Sequence, residues 1–226
     1  MCTLSCLRFG ESQLSRDEVT GKRVLEVGAL NVNGSLREHI THLKPLNYLG
    51  VDIVPGPGVD EICDINHLLN RYGKESFDLV ICTETLEHVR DWRKAVSNLK
   101  NILTPHGVLL LTTRSKEFAY HGYPFDFWRY GVDDMTVIFG DLAIESNVKD
   151  PAAPGVFLKA RKPIHFVEKN MGNYDVYSII RHKHCRDIGN FSIRLFKVKT
   201  FARICLSRIL PKAVKSAVKN AVGSES

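Results

Sequence analysis

The chain has 226 residues, 44% of them hydrophobic and 25% charged, which excludes a disordered polymer and is enough to bury one sizeable core with an appendage. Its formal charge of +6 is uneven: after residue 190, eight basic residues (Arg194, Lys197, Lys199, Arg203, Arg208, Lys212, Lys215, Lys219) stand against one acid, Glu225, leaving 23 basic and 24 acidic residues before it. That balance argues against a specific nucleic-acid-binding face on the body, although a basic tail can make phosphate contacts.

Apolar β-branched runs alternate with helix-like stretches through the first 140 residues. Val24–Val27 predicts a strand, Ser35–Leu43 a helix and Tyr48–Ile53 a second strand. Pro55-Gly56-Pro57-Gly58 then turns the chain toward a short strand at Val59–Cys63. Ile65–Tyr72 predicts a short helix, Phe77–Cys82 a strand, and Leu86–Leu103 a longer helix. Thr104-Pro105-His106-Gly107 breaks that helix before the strand Val108–Thr113, and Asp133–Gly140 predicts a further helix. Strand–helix alternation of this kind predicts a doubly wound, mostly parallel α/β sheet of Rossmann-like form, with its ligand at the carboxyl ends of the strands. Leu142–Val148 and Val156–Ala160, joined by a short Pro/Gly loop, predict an antiparallel hairpin closing the sheet near residue 163. The expected division is a domain over 1–163 and an extension over 164–226. Residues 164–190 carry no assignable pattern.

The first strand carries a buried-type acid, Glu26, and breaks at Gly28 into a small polar turn leading to a helix N-terminus, where free N–H groups favour an anionic ligand. Asp52 ends the second strand and Asp64 follows the third. An acid at the tip of the second strand is placed to accept both hydroxyls of a ribose. A dinucleotide turn wants Gly-x-Gly-x-x-Gly; here Leu30 stands two residues after Gly28, which disfavours a pyrophosphate cradle and a nicotinamide oxidoreductase. Asp64 reads equally well as a strand-end ligand group or as a helix N-cap for Ile65–Tyr72, and both roles stay open.

Val24-Leu25-Glu26-Val27-Gly28, Gly50-Val51-Asp52, Cys63-Asp64 and Phe77-Asp78-Leu79-Val80-Ile81-Cys82-Thr83-Glu84-Thr85-Leu86-Glu87-His88-Val89 resemble the successive motifs of class I S-adenosylmethionine-dependent methyltransferases, in the type 11-like small-molecule branch, over residues 20–163. Leu30 departs from that family's glycine pattern. The resemblance implies S-adenosylmethionine as cofactor. It places Glu26 and Gly28 near the methionine end, Asp52 with neighbouring Ile53 at the ribose, Asp64 at the adenine amino group with Ile65 packed on the ring, and Thr83 and Glu84 at the end of the fourth strand. DNA base methylation is disfavoured, because Thr83-Glu84-Thr85-Leu86 stands where an Asn/Asp-Pro-Pro-Tyr/Phe motif would be, and no Pro-Cys pair offers a C5 nucleophile.

Residues 118–130 hold seven of the chain's 20 Phe, Trp and Tyr residues and begin beyond the strand Val108–Thr113. An aromatic loop there can exclude water, stack on an acceptor ring and shield a sulfonium. Tyr120, Tyr123, Trp128 and Arg129 are the substrate-binding candidates, while Phe118 and Phe125 read as packing residues. Arg129 with Asp126 also reads as a pair that locks the loop. Methyl transfer mainly needs in-line positioning, and a hydroxyl acceptor also needs a base; His121 is the first candidate and His88 the second. An alternative makes Glu84, Glu87, His88 and His121 a divalent-metal set, resembling the Glu-x-x-Glu-His site of metal-dependent O-methyltransferases acting on RNA ends and quinone precursors. Arg181-His182-Lys183-His184-Cys185 reads as a solvated loop, since it lacks a second ligand pair.

From Phe191 onward, apolar residues at i, i+3 and i+4 spacing mix with arginine and lysine until Pro211. A basic amphipathic helix of this kind either lies on an anionic membrane surface, through 191–222, or docks on the body or a homodimer partner. The first 20 residues lack a long apolar stretch, no run suits a membrane span, and Cys2, Cys6, Cys63, Cys82, Cys185 and Cys205 form no tight framework. The expected setting is cytoplasmic, with peripheral membrane contact through the tail. The expected function is methyl transfer to a small or lipid- or glycan-linked acceptor, at oxygen. The alternative is a non-catalytic, methyltransferase-like binding or scaffold protein.

Overall fold

The computed structural model describes residues 3–122 and 126–209, so the expectations for Tyr123, Phe125 and the tail beyond 209 lie outside it. The chain opens with an unexpected helix, α1 (Leu4–Gln13), whose N-cap Thr3 accepts from the Cys6 amide. The short α2 (Arg16–Val19) starts at a Ser15/Glu18 capping box. Then come β1 (Arg23–Val27), α3 (Arg37–His42), β2 (Asn47–Asp52), β3 (Glu61–Ile62), a 3₁₀ turn at Ile65–His67, α4 (Leu68–Tyr72) and β4 (Phe77–Thr83). A second 3₁₀ turn (Leu86–His88), α5 (Trp92–Ile102), β5 (Leu103–Arg114), β6 (Trp128–Arg129), α6 (Val132–Ile138), β7 (Ala143–Lys149) and β8 (Gly155–Arg161) follow.

Seven strands form one sheet in the order β3-β2-β1-β4-β5-β8-β7. Pairings from β3 to β5 are parallel, while β8 runs antiparallel to β5 and to β7. The doubly wound sheet and its terminal hairpin are therefore as the alternation predicts. The chain leaves β1 toward β2 on one side and returns to β4 on the other, which opens a crevice at the carboxyl ends of β1 and β4. The parallel strands are apolar on both faces, as a covered sheet requires; Val24, Leu25, Leu79, Val80, Ile81, Leu109, Leu110 and Leu111 are fully buried. Helix α1 adds Cys6 and Phe9 to this core, with the Phe9 and Phe157 rings 4.9 Å apart.

Three expectations need correction. The helix expected over 86–103 is divided: Val89 is extended, and Asp91 starts α5 afresh by accepting from the Lys94 amide. The breaker 104–107 lies inside β5, where positive-φ His106 and a register shift opposite Phe77–Leu79 absorb it. Beyond 163, β9 (Val176–Ser178) pairs antiparallel with β6 and with β10 (Lys183–Cys185) in a second, three-stranded sheet. The segment expected as a loop at 181–185 thus contains a strand. Met1–Asp187 is one compact unit and Ile188–Ser226 another; the second contains α7 (Asn190–Ile209). No helix among the described residues is long and apolar enough to cross a membrane.

Candidate active site

The turn after β1 is fixed by its backbone. Gly28 has φ +78°, and its amide and that of Ala29 both donate to the Val51 carbonyl, at 2.9 and 3.0 Å. A Cβ on Gly28 would lie 1.9 Å from Thr85 Oγ1, so only glycine fits between this turn and the β4 end. The Leu30 side chain reaches out to Gly56, where an added Cβ would meet Leu30 Cδ1 at 2.3 Å. The glycine missing from position 30 is thus matched by a bare glycine in the facing Pro55–Gly58 loop.

Asp52, at the tip of β2, accepts from the Leu30 amide at 3.1 Å and from the Val54 amide at 3.3 Å. These bonds hold its carboxylate at the rim of the crevice. Ile53 beside it is exposed. Glu26 lies beneath the same turn, almost fully buried. Tyr48 donates to it at 2.5 Å and Ser35 at 3.4 Å. Burial raises its carboxyl to about 7, with Tyr48, Arg37 and Ser35 opposing the rise. Asp64 caps the 3₁₀ turn by accepting from the Asn66 amide at 2.8 Å, and Ile65 behind it is buried. The capping role of Asp64 is therefore realised beside any adenine role.

Thr83 ends β4 and is buried. Glu84 takes a left-handed φ of +50° and turns its carboxylate inward. There it pairs with Arg114 Nε and accepts from Thr112 Oγ1 at 3.0 Å, while Arg114 also reaches Asp150 at 3.1 Å. Burial, then the nearby Glu87, push Glu84 up to about 9, against the pull of Arg114. Its side chain is committed to the core, which takes Glu84 out of the expected metal set.

Glu87, His88 and His121 converge instead. Glu87 is fully buried; its Oε2 accepts from Thr113 Oγ1 at 2.8 Å, and its Oε1 has no hydrogen-bond partner. That orphan oxygen lies 3.9 Å from His88 Nε2 and 3.9 Å from His121 Nε2. The imidazole centroids are 4.8 Å apart, and one ligand atom from each of the three residues falls within 4.8 Å of the others. An unpaired buried carboxylate oxygen is costly unless something meets it, and the two imidazole Nε2 atoms are the polar groups recorded beside it.

The aromatic loop is held by Asp126. Its carboxylate takes Arg129 in two bonds, at 2.5 and 2.8 Å, and accepts the His121 amide at 2.8 Å. Its Oδ2 also lies 3.1 Å from His121 Nδ1. Burial works against the ionised form, but Arg129 and His121 hold the Asp126 carboxyl well below the usual carboxylate range. Arg129 further donates to the Phe118 and Ala119 carbonyls. Two substrate-binding expectations are thereby corrected. Arg129 is buried with every bond spent on the loop, and Trp128 is fully buried with its indole N–H on the Arg90 carbonyl at 3.0 Å. Tyr120 is half-buried beside His121. Phe118 packs as expected, under the Arg114 guanidinium (4.5 Å) and edge-on to His121 (5.0 Å). Tyr48, Arg114 and Thr113 were missed by sequence reasoning. Only alternation along β5 could have shown that Thr112 and Thr113 turn to opposite faces, toward Glu84 and Glu87.

A family model described as "Methyltransferase domain" matches residues 7–140. The ubiquinone biosynthesis O-methyltransferase of Haemophilus ducreyi is 31% identical over 129 residues, covering 49% of this chain and 52% of that protein. The chain thus spans about half the length of this curated relative. Among solved structures, the 1,6-didemethyltoxoflavin-N1-methyltransferase of Burkholderia thailandensis, with bound 1,6-didemethyltoxoflavin and S-adenosylhomocysteine, superposes with a TM-score of 0.56 at 14% identity, covering 70% of this chain and 78% of that one. The N-methyltransferase NodS of Bradyrhizobium japonicum WM9 gives 0.54 at 18% identity, covering 72% and 99%. At such identities the structural likeness is one of fold, and chemistry has to be argued from the site.

Proposed function

The chain belongs to the methyltransferase-domain family, and from that premise we propose that it moves the methyl group of S-adenosylmethionine to a hydroxyl of a small or lipid- or glycan-linked acceptor, with His121 as the base. The cofactor supplies an electrophilic methyl group on a sulfonium. The residues present fit it: Asp52 offers a carboxylate at a strand tip, and Gly28 and Ala29 keep the β1 turn close to β2. Thr83, Asp64 and Ile65 line the neighbouring strand ends in this reading, and Glu26 stands behind the methionine end.

One observation carries the acceptor side: His121 sits between Asp126, near its Nδ1, and the buried Glu87, near its Nε2. A carboxylate 3.1 Å from one ring nitrogen, though not hydrogen-bonded to it, favours the cation formed when the other nitrogen takes a proton. The acceptor hydroxyl would give its proton to Nε2 as its oxygen takes the methyl group, and Glu87 would steady the resulting positive charge. His88 borders the same space as the second candidate base. The test is incubation with methyl-labelled cofactor and a panel of phenolic and sugar hydroxyl acceptors. Oxygen-linked label, lost by at least about 100-fold in His121→Ala with cofactor affinity kept, is the expected result. Label on nitrogen, or full activity of the variant, would contradict it.

A second reading rests on the convergence of Glu87, His88 and His121. One carboxylate and two imidazoles fit a divalent ion, which would polarise the acceptor oxygen. Activity surviving thorough chelation, with no metal by elemental analysis, ends that reading. The proposal places the protein in the cytoplasm, with the basic segment 191–222 touching an anionic membrane surface. Reversal of its lysine charges should abolish co-sedimentation with anionic vesicles; salt-insensitive, unchanged sedimentation would refute the contact.

A further inference from the structure

Arg114 has no part in the chemistry above, yet it is among the largest buried side chains of the protein. It closes β5, and three other elements surround it. Its Nε pairs with Glu84 past the end of β4, and its Nη1 lies 3.1 Å from Asp150 in the β7–β8 turn. The guanidinium carbon stands 4.5 Å from the Phe118 ring centroid in the acceptor loop. Burying a guanidinium is costly unless acceptors meet its planar fork, and here two carboxylates do.

Glu84 is the partner that reaches the crevice. Its φ of +50° is a left-handed backbone, which a residue with a side chain keeps only where its surroundings enforce it. Four contacts do so. Arg114 holds one carboxylate oxygen, the Thr112 hydroxyl (3.0 Å) and the Cys6 thiol (3.5 Å) donate to the other, and the Glu84 amide donates to the Thr112 carbonyl at 2.9 Å. The turn held in this way delivers Thr85. The Thr85 hydroxyl donates to the Thr83 carbonyl at 2.9 Å and lies 3.4 Å from the Val27 carbonyl. It also fills the space beside Gly28 in which a Cβ would stand. Thr85 therefore joins the β4 end to the β1 turn, at the strand ends where the crevice opens. Both oxygens of Glu84 are engaged in the core, so its service to the crevice is through the backbone.

We infer that Arg114 is a positioning residue for S-adenosylmethionine binding: by anchoring Glu84 in its left-handed turn, it seats Thr85 against Gly28 and keeps the β1 and β4 ends in register for the cofactor. Without the guanidinium, the buried Glu84 carboxylate loses its counter-charge and the turn loses its strongest anchor. Small displacements of groups that frame a site cost affinity and rate even when those groups lie behind it. This inference rests on the proposed cofactor crevice at the β1, β2 and β4 ends.

The test is calorimetric titration of the full chain with S-adenosylmethionine, paired with thermal unfolding of the same proteins. Arg114→Met should bind at least about tenfold more weakly than wild type. Arg114→Lys keeps the charge without the planar fork, and should fall between the two. Asp150→Asn weakens the same guanidinium from the β7–β8 turn, on the far side of β5 from β4; it should lower the melting temperature yet bind within about threefold of wild type. Arg114→Met leaves two buried carboxylates unpaired and can fail to fold, so a triple variant, Arg114→Met with Glu84→Gln and Asp150→Asn, removes those charges. It should recover melting temperature while binding at least about tenfold more weakly than wild type. Affinity that returns together with stability in the triple variant, or that falls as far in Asp150→Asn as in Arg114→Met, assigns Arg114 to stability alone and overturns the inference. A wild type that fails to bind S-adenosylmethionine would instead strike the proposed crevice itself, whatever the variants do.

Discussion

Gly28→Ala should damage the crevice through two separable costs. Its φ of +78° is in the left-handed region, which a side chain enters at about 1–2 kcal/mol. The added Cβ would also fall 1.9 Å from Thr85 Oγ1 and 2.9 Å from Thr85 Cβ. Thr85 cannot simply rotate away without loss, because its hydroxyl donates to the Thr83 carbonyl at 2.9 Å. Relieving that overlap costs roughly 1–3 kcal/mol. Together the costs come to about 2–5 kcal/mol, a fall in melting temperature of roughly 4–20 °C for a chain of this size. Thermal unfolding followed by circular dichroism measures it. Adding Thr85→Ala removes the hydroxyl contact but not the backbone cost, so about half the loss should return. A single variant melting within about 2 °C of wild type, or a double variant with no recovery, would refute the reasoning.

Three other outcomes are expected. Burial lifts Glu26 from 4.5 to about 7, so the folded state holds a proton that the unfolded state has already released between those values. That contribution to stability is fully present below about pH 4.5 and is lost as pH rises through 7; Glu26→Gln should flatten this part of the profile in denaturant titrations at pH 5 and 8, and an unchanged slope would refute it. Arg129→Ala strands the buried Asp126 and should cost about 3–5 kcal/mol, whereas Arg129→Met with Asp126→Leu should recover most of it; equal melting temperatures for the two proteins would contradict the locking role. Trp128→Phe, which removes the indole donor from the Arg90 carbonyl, should destabilise by about 1–3 kcal/mol without weakening acceptor binding; a large rise in KM at unchanged stability would restore Trp128 as a substrate contact.

The sheet was legible because its signals are local. Leu79, Val80, Ile81 and Cys82 form a continuous apolar run between Asp78 and Thr83-Glu84, which is how a strand buried on both faces reads. Gly28, Asp52 and Asp64 stood at predictable strand ends, so the rim of the crevice could be sketched from spacing. The acceptor side was less legible, since polar partners there come from distant elements. Nothing near Glu84 announces that Arg114 and Thr112 will draw its carboxylate inward, and nothing near Trp128 announces the Arg90 carbonyl. Helix α1 was missed because its pattern is weak; its stability comes from packing Cys6 and Phe9 onto β-strand residues far along the chain. The β9–β10 hairpin was missed for a similar reason: each strand is three residues long, and its pairing is set by β6.

The central claim is that the crevice at the β1, β2 and β4 ends holds S-adenosylmethionine through Asp52. Calorimetric titration of the wild type and Asp52→Asn with S-adenosylmethionine tests it most directly. Losing the charge from a bidentate carboxylate contact is worth about 2 kcal/mol, a weakening of roughly 30-fold, and the variant should keep the wild-type melting temperature within a few degrees. A wild type that fails to bind the cofactor, or an Asp52→Asn protein that binds it equally well, would contradict the account and favour the binding-scaffold alternative.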